Sequence, residues 1–202
     1  MPSPQPRQLL SVNVAQATPI EIQGRRIMTA IGKRSVSSLA APARVAVQAL
    51  GLAGDEQADP EVHGGLSKAV YAYPHEHYAF WQTVRSQAEA QPWGEALPHG
   101  MLGENLTITG LFETDVFVGD LLQFPDCTLA VSEPRQPCYK FQAVMGFKHA
   151  TKMMAQSGYC GFYLAVRMPG TIAAGESYTL VPGPREVSIQ ELFANKMRRR
   201  ED

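Results

Sequence analysis

Several features that would assign the chain to a specialised class are missing. No uninterrupted apolar run approaches the roughly 20 residues that a helix needs to cross a bilayer. The amino terminus, Met1 to Gln8, is rich in proline and polar residues and has no apolar stretch behind a basic start, so it does not read as an export signal. Only three cysteines occur, Cys127, Cys138 and Cys160. They have no Cys-x-x-Cys spacing, which argues against a disulfide framework or a structural zinc knuckle and points to a reducing, cytoplasmic setting. Nor is there a surplus of one charge. The chain has 18 Lys and Arg against 19 Asp and Glu, a net of -1, which offers no global attraction to nucleic acid or to an anionic membrane. Any basic site must be local. The sequence also shows no internal repeat, Walker motif, Rossmann fingerprint, serine-hydrolase elbow or motif with paired acidic residues.

What is present is an ordinary globular composition, 45% apolar and 18% charged over 202 residues, enough for one domain with a sizeable core. Short runs rich in β-branched residues and broken by Gly or Pro predict strands at Leu9–Ala15, Pro19–Ile22, Arg26–Ile31, Ala43–Ala49, Ala69–Tyr73, Asn105–Thr109, Leu121–Phe124, Cys127–Ser132, Phe162–Arg167 and Ser177–Val181. Helices are expected from Pro74 to about Ala88, at Tyr139–Met145 and at Lys148–Gln156. The fold class is therefore mostly β with a few helices, a barrel or curled sheet. The run Arg198 to Arg200, in a tail of helix-forming composition, reads as a solvated end.

Cys138 is the sharpest chemical lead. It lies in Pro134-Arg135-Gln136-Pro137-Cys138-Tyr139-Lys140, directly after a strand and at a helix start. Backbone N–H groups there, with Arg135 and Lys140 nearby, favour the thiolate, which is the nucleophilic and metal-binding form. Cys127 and Cys160 read instead as small buried residues. Gly51 to Gln57, followed by His63-Gly64-Gly65-Leu66-Ser67-Lys68, has the glycines and the cation of an anion-binding loop. An ordinary turn with a capping Asp55 and a hydrogen-bonded His63 explains it equally well. His75 and His77, two apart on a helix, face different ways and read as capping or exposed residues rather than as a zinc pair.

Four segments taken together resemble the MOSC family (molybdenum cofactor sulfurase C-terminal domain), and within it the YiiM-like branch. They are Gly51 to Gln57, His63 to Tyr73, Gly103-Glu104-Asn105-Leu106, and Pro134 to Lys140, with Val118-Gly119-Asp120 between the last two. The resemblance implies a MOSC-type β-barrel of the pyruvate-kinase barrel kind over residues 1–186, with 187–202 as a short helical tail where the branch usually continues into three helices. It implies a pocket for the molybdenum cofactor (molybdopterin), in which Cys138 is both the catalytic residue and the metal ligand, or else carries sulfur as a persulfide. Lys33, Arg34, His63, Gly64, Gly65, Lys68, Asn105 and Arg135 are the implied cofactor-binding residues. Pyridoxal phosphate is not expected, because no aminotransferase-like domain accompanies these motifs. The activity implied is reduction of small N-hydroxylated compounds such as hydroxylaminopurines and amidoximes, with electrons from a separate flavin or iron–sulfur reductase. The alternatives are sulfur transfer with a partner sulfurase, and a binding module without turnover. Neither nucleic acid nor membrane is an expected partner.

Overall fold

Alternation of short apolar stretches with turn residues produces a chain of strands interrupted by helices. A computed structural model describes residues 6–58 and 64–201, so the candidate residue His63 lies outside the described part. The strands are β1 (Gln8–Val14), β2 (Thr18–Ile22), β3 (Arg25–Thr29), β4 (Arg34–Ser38), β5 (Val45–Gln48), β6 (Gly51–Leu52), β7 (Val70–Pro74), β8 (Leu106–Thr109), β9 (Leu121–Gln123), β10 (Thr128–Pro134), β11 (Phe162–Met168), β12 (Gly170–Ile172) and β13 (Thr179–Val181). The helices are α1 (Tyr78–Gln87), α2 (Tyr139–Met145), α3 (Ala150–Ser157) and α4 (Ile189–Glu201).

Eight strands form one sheet in the order β13-β9-β10-β11-β7-β8-β1-β4. All its pairs are antiparallel except β7 with β8, which are joined by α1 and the proline-rich stretch after it. The sheet curls until β1, one strand in from its β4 edge, comes back to the approach to β13. Gln8 at the start of β1 bridges Ser177, and backbone bonds Leu9 N to Glu176 O (2.9 Å), Gly175 N to Leu9 O (2.8 Å) and Tyr178 N to Arg7 O (3.2 Å) tie β1 to the approach to β13. The expected mostly-β class is thus present as a curled sheet whose seam is irregular rather than a continuous ladder. Leu9, Val12, Leu106, Ile108, Leu122, Leu129, Phe162 and Leu164 fill its interior.

Three strands fall where no apolar pattern announces them. β4, Arg-Ser-Val-Ser-Ser, is an edge strand held on β1 by hydroxyl contacts, with Ser11 Oγ 2.8 Å from Ser35 Oγ and 3.2 Å from Ser37 O. β6 pairs with β5 inside the glycine-rich segment, and β12 pairs with the other side of β5. The helix after Pro74 also begins differently from the sequence reading. Its first turn is a 3-10 turn over His75–His77, and His77 takes the N-cap position of α1 without capping through its side chain; it is buried rather than exposed, with Nε2 2.8 Å from Glu113 Oε2. Glu113, 36 residues further on, gives the imidazole an interior partner that local spacing could not reveal.

α4 packs onto the same core through Ile189 and Phe193, both almost fully buried. Its start is a capping box, in which the Ser188 hydroxyl accepts from Glu191 N at 3.2 Å and Glu191 Oε2 accepts from Ser188 N at 2.9 Å.

One glycine controls how closely β11 approaches β7. Gly161 has φ 62°, and a Cβ there would lie 2.5 Å from Ala72 O and 2.8 Å from ring carbons of Tyr71 and Tyr73. Backbone and packed rings cannot yield as a flexible side chain would. Gly161→Ala should therefore cost roughly 2–4 kcal/mol, read as a lowered denaturation midpoint; an unchanged midpoint would show that β7 and β11 can separate cheaply.

Candidate functional site

The loop from β10 to α2 carries Cys138 to the mouth of a cleft. Pro134 ends β10, Pro137 restrains the link, and Cys138 takes the extended N-cap conformation of α2 (φ −136°, ψ 164°), with its carbonyl accepting from Gln142 N at 3.2 Å. The cleft holds about 630 Å³ of open space. Its walls come from the end of β3 and the following turn (Thr29, Ala30, Ile31, Lys33), the segment Asp55–Ala58, the strand β7 with its approach (Lys68, Ala69, Tyr71), Gly103 and Asn105 before β8, the Arg135–Lys140 link and Tyr163 on β11.

Arg135 lies beneath this cleft and is almost fully buried. Its guanidinium carbon sits 5.1 Å from the Tyr71 ring centre and 4.9 Å from that of Phe141, and Nη1 donates to Leu102 O at 3.0 Å. Burial opposes the charge, but Tyr71, Cys138 and Tyr163 around it more than offset this and hold its pKa above the usual guanidinium value. Two rings stacked on a desolvated cation give an attractive electrostatic contact that lysine could not reproduce. The same burial pushes the phenols of Tyr71 and Tyr163 up, so both are neutral donors at physiological pH.

Lys33 and Asp55 form the second charged feature. Lys33 Nζ is 2.5 Å from Asp55 Oδ1, with both side chains largely buried. Asp55 Oδ1 also accepts from Ala15 N at 2.8 Å, and Oδ2 accepts from Asn105 Nδ2 at 2.8 Å. Burial lowers the Lys33 pKa, while the Asp55 carboxylate works to raise it. Asn105 is itself fixed, since its Oδ1 accepts from Tyr71 N at 3.0 Å. Beneath it, the buried Glu104 accepts from Gly100 N (2.7 Å), Leu102 N (3.1 Å), Thr107 Oγ1 (2.9 Å) and the Tyr78 hydroxyl. That cluster holds the loop whose Leu102 carbonyl anchors Arg135.

Of the residues singled out in the sequence, Cys138, Lys33, Lys68, Asn105 and Arg135 therefore line one cleft. Arg34 does not. It opens β4 and is exposed, because consecutive residues of an extended chain point to opposite sides and Lys33 takes the inward one. Gly64 and Gly65 are also outside the cleft lining; Gly65 N donates to Gln57 Oε1 at 2.9 Å, which pins the turn that leads to Lys68. Residues that the motif reading did not assign to the site are Gln57, Tyr71, Tyr163 and Asp55, the last read only as a turn cap. Four cationic side chains (Lys33, Lys68, Arg135, Lys140) face two carboxylates (Asp55, Glu56) along the lining. The cleft thus has a local positive excess on a chain of near-zero net charge.

Among the described residues no group of three or more His, Cys, Asp or Glu is placed to hold a metal ion, and no helix is long and apolar enough to cross a membrane. The three cysteines differ sharply. Cys127 and Cys160 are fully buried and Cys138 is partly exposed. Burial pushes the Cys127 thiol up to about 12 and the Cys160 thiol well above its ordinary value. Site-resolved alkylation of the folded protein should label Cys138 first, and earlier labelling of Cys127 or Cys160 would overturn the assignment of the accessible thiol. Cys127→Ser should cost about 1–3 kcal/mol in a melt, through a hydroxyl buried without a partner.

The sequence and the fold have known relatives. A profile of the MOSC domain matches residues 59–179. YflK of Bacillus subtilis is 37% identical over 192 residues, covering 94% of this chain and 79% of that protein. A protein named reductase from Gibberella moniliformis is 32% identical over 184 residues, or 91% of this chain, which spans 31% of the reductase's length. The crystal structure of YiiM from Geobacillus stearothermophilus superposes with a TM-score of 0.73 at 31% identity, over 98% of this chain and 87% of that one. The match over well more than half of the chain, with the same fold throughout, makes the chain a member of the MOSC domain family, in its YiiM-like branch.

Proposed function

We propose that the chain is a molybdenum-cofactor-dependent reductase of small N-hydroxylated compounds, with Cys138 as the thiolate ligand to the metal. The observation that carries this reading is the meeting, in one cleft, of the accessible cysteine with Lys33, Lys68, Arg135 and Lys140. A soft thiolate suits a thiophilic metal, and cations with amide donors suit a phosphate-bearing pterin. The single cysteine suits a metal that arrives inside an organic cofactor with donors of its own. The fungal relative named reductase supports the reaction class.

When bound, the cofactor would supply the two-electron couple by which an N–OH group, with two protons, becomes N–H and water. The chain's own residues bind and orient. Cys138 holds the metal side. Lys68, Lys140 and Arg135 provide positive field for the phosphate. Asn105, locked by Asp55 and by the backbone of Tyr71, presents a fixed polar edge. Lys33 reaches the cleft already paired with Asp55, so its part is to hold that wall together and to complete the positive lining. Electrons come from a flavin or iron–sulfur protein.

Protein made in a host that synthesises the cofactor should contain stoichiometric molybdenum and pterin, and with a reconstituted donor it should reduce an amidoxime or a hydroxylaminopurine. Absence of both metal and pterin overturns the proposal. Cofactor bound without turnover would identify a carrier instead, and a Cys138-dependent mass gain of one sulfur without molybdenum would identify sulfur transfer. Cys138→Ser should lose molybdenum and activity while melting within about 2 °C of the wild type, because the site lies on a loop and the hydroxyl is close in size.

A further inference from the structure

Reduction of an N–OH group consumes two protons, and the cleft must deliver at least one of them at the departing oxygen. Arg135 stays charged in any protein setting, so it can hold an anion but cannot release a proton. Burial pushes the Tyr71 and Tyr163 phenols up, which makes both poor acids. Lys33 differs from these. Its side chain is 8% exposed and that of Asp55 7%, yet Lys33 lines the same cleft as Cys138, so its ammonium meets the cleft from a nearly dry wall. Its backbone is fixed. Lys33 N donates to Ile31 O at 2.9 Å, and Gly100 lies so close that a Cβ there would stand 2.8 Å from Lys33 O. The carboxylate beside it is held too, by Ala15 N and Asn105 Nδ2. Burial lowers the Lys33 pKa, while Asp55 and Glu104 work to raise it and Arg135 to lower it. Glu56, the other carboxylate in the lining, accepts from Ala17 N at 2.7 Å.

We propose that Lys33, besides holding its wall, is the proton donor of the cleft, its ammonium turning the departing hydroxyl of an N-hydroxylated substrate into water. This role rests on the reductase reading of the site. The proton passes from Lys33 Nζ to the hydroxyl oxygen as the N–O bond breaks. Nitrogen takes the second proton from water, the two electrons are those of the flavin or iron–sulfur donor, and the neutral Lys33 amine regains its proton from solvent. A desolvated ammonium gives up a proton more readily than one in water. Asp55 is a positioning residue here. Its Oδ1, 2.5 Å from Lys33 Nζ, fixes where the ammonium stands, and its charge favours return of the proton after each turnover.

The first measurement uses the cofactor-free protein labelled with carbon-13 at lysine Cε, in which NMR follows each ammonium through its titration and Lys33→Arg assigns the Lys33 signal. Lys33 should titrate below the ordinary lysine value. Asp55→Asn should move its midpoint further down, because the carboxylate favours the charged form. In the loaded enzyme with a reconstituted donor, kcat should fall as rising pH strips the ammonium of its proton, and Lys33→Arg should abolish that fall. Arginine keeps a positive charge opposite Asp55 but does not give up a proton. Lys33→Arg should retain molybdenum and pterin and a KM within about threefold, while kcat drops at least about a hundredfold, the low end for a positioned acid. A Lys33 midpoint at or above the ordinary value, a smaller loss of kcat, or loss of cofactor from Lys33→Arg overturns the proton donor and leaves the reductase standing. Absence of turnover by the loaded wild type overturns both.

Discussion

A guanidinium taken out of water must be compensated on every side, and the site is organised around that requirement at Arg135. An arginine remains charged in any protein environment, so burial cannot be relieved by neutralising it. Compensation comes from three directions in the chain. Tyr71 on β7 and Phe141 on α2 supply ring faces, and Leu102 supplies a carbonyl. Each of these is held in turn. Tyr71 donates to Cys160 O at 2.8 Å, Phe141 meets Trp81 edge-on with centroids 5.4 Å apart, and Glu104 fixes the Leu102 loop. Displacing any one of them would expose a buried charge, so the link that carries Cys138 is clamped from both sides.

The curled sheet provides the second constraint. Tyr71 and Tyr163 are directly paired across β7 and β11, and their ring centres lie 5.3 Å apart. This brings two phenols to the same face of the sheet next to Arg135. The close approach depends on Gly161, whose amide donates to Glu113 Oε1 at 2.7 Å. Glu113 also receives the buried His77. Glu113 therefore links α1's first turn and the start of β11 through its carboxylate and, through its backbone carbonyl, which accepts from Gln190 N, the C-terminal helix.

Charge in and around the cleft is held by carboxylates. Asp55 takes Lys33, and Glu133 is divided between Lys68 and Lys196. Coulomb interactions at these distances in a partly desolvated setting outweigh anything contributed by the chain's net charge.

The sequence by itself determined the class of fold, the distinction among the three cysteines and the family, because these rest on local signals: turn residues between β-branched runs, prolines and cations around Cys138, and four motifs in a characteristic order. What only the tertiary structure decided are relations between distant residues. Lys33 faces the cleft and Arg34 does not because pairing of β4 with β1 sets the register there. Asp55 is a hub rather than a turn cap because Ala15, just after β1, and Asn105 come to it from 40 and 50 residues away. His77 is buried because Glu113 waits for it, and the C-terminal helix is tied to β10 because Glu133 does the same for Lys196. Polar partners of this kind leave no periodic trace in a sequence. They are selected by the geometry of a folded interior, where an unpaired charge or amide is too costly to leave.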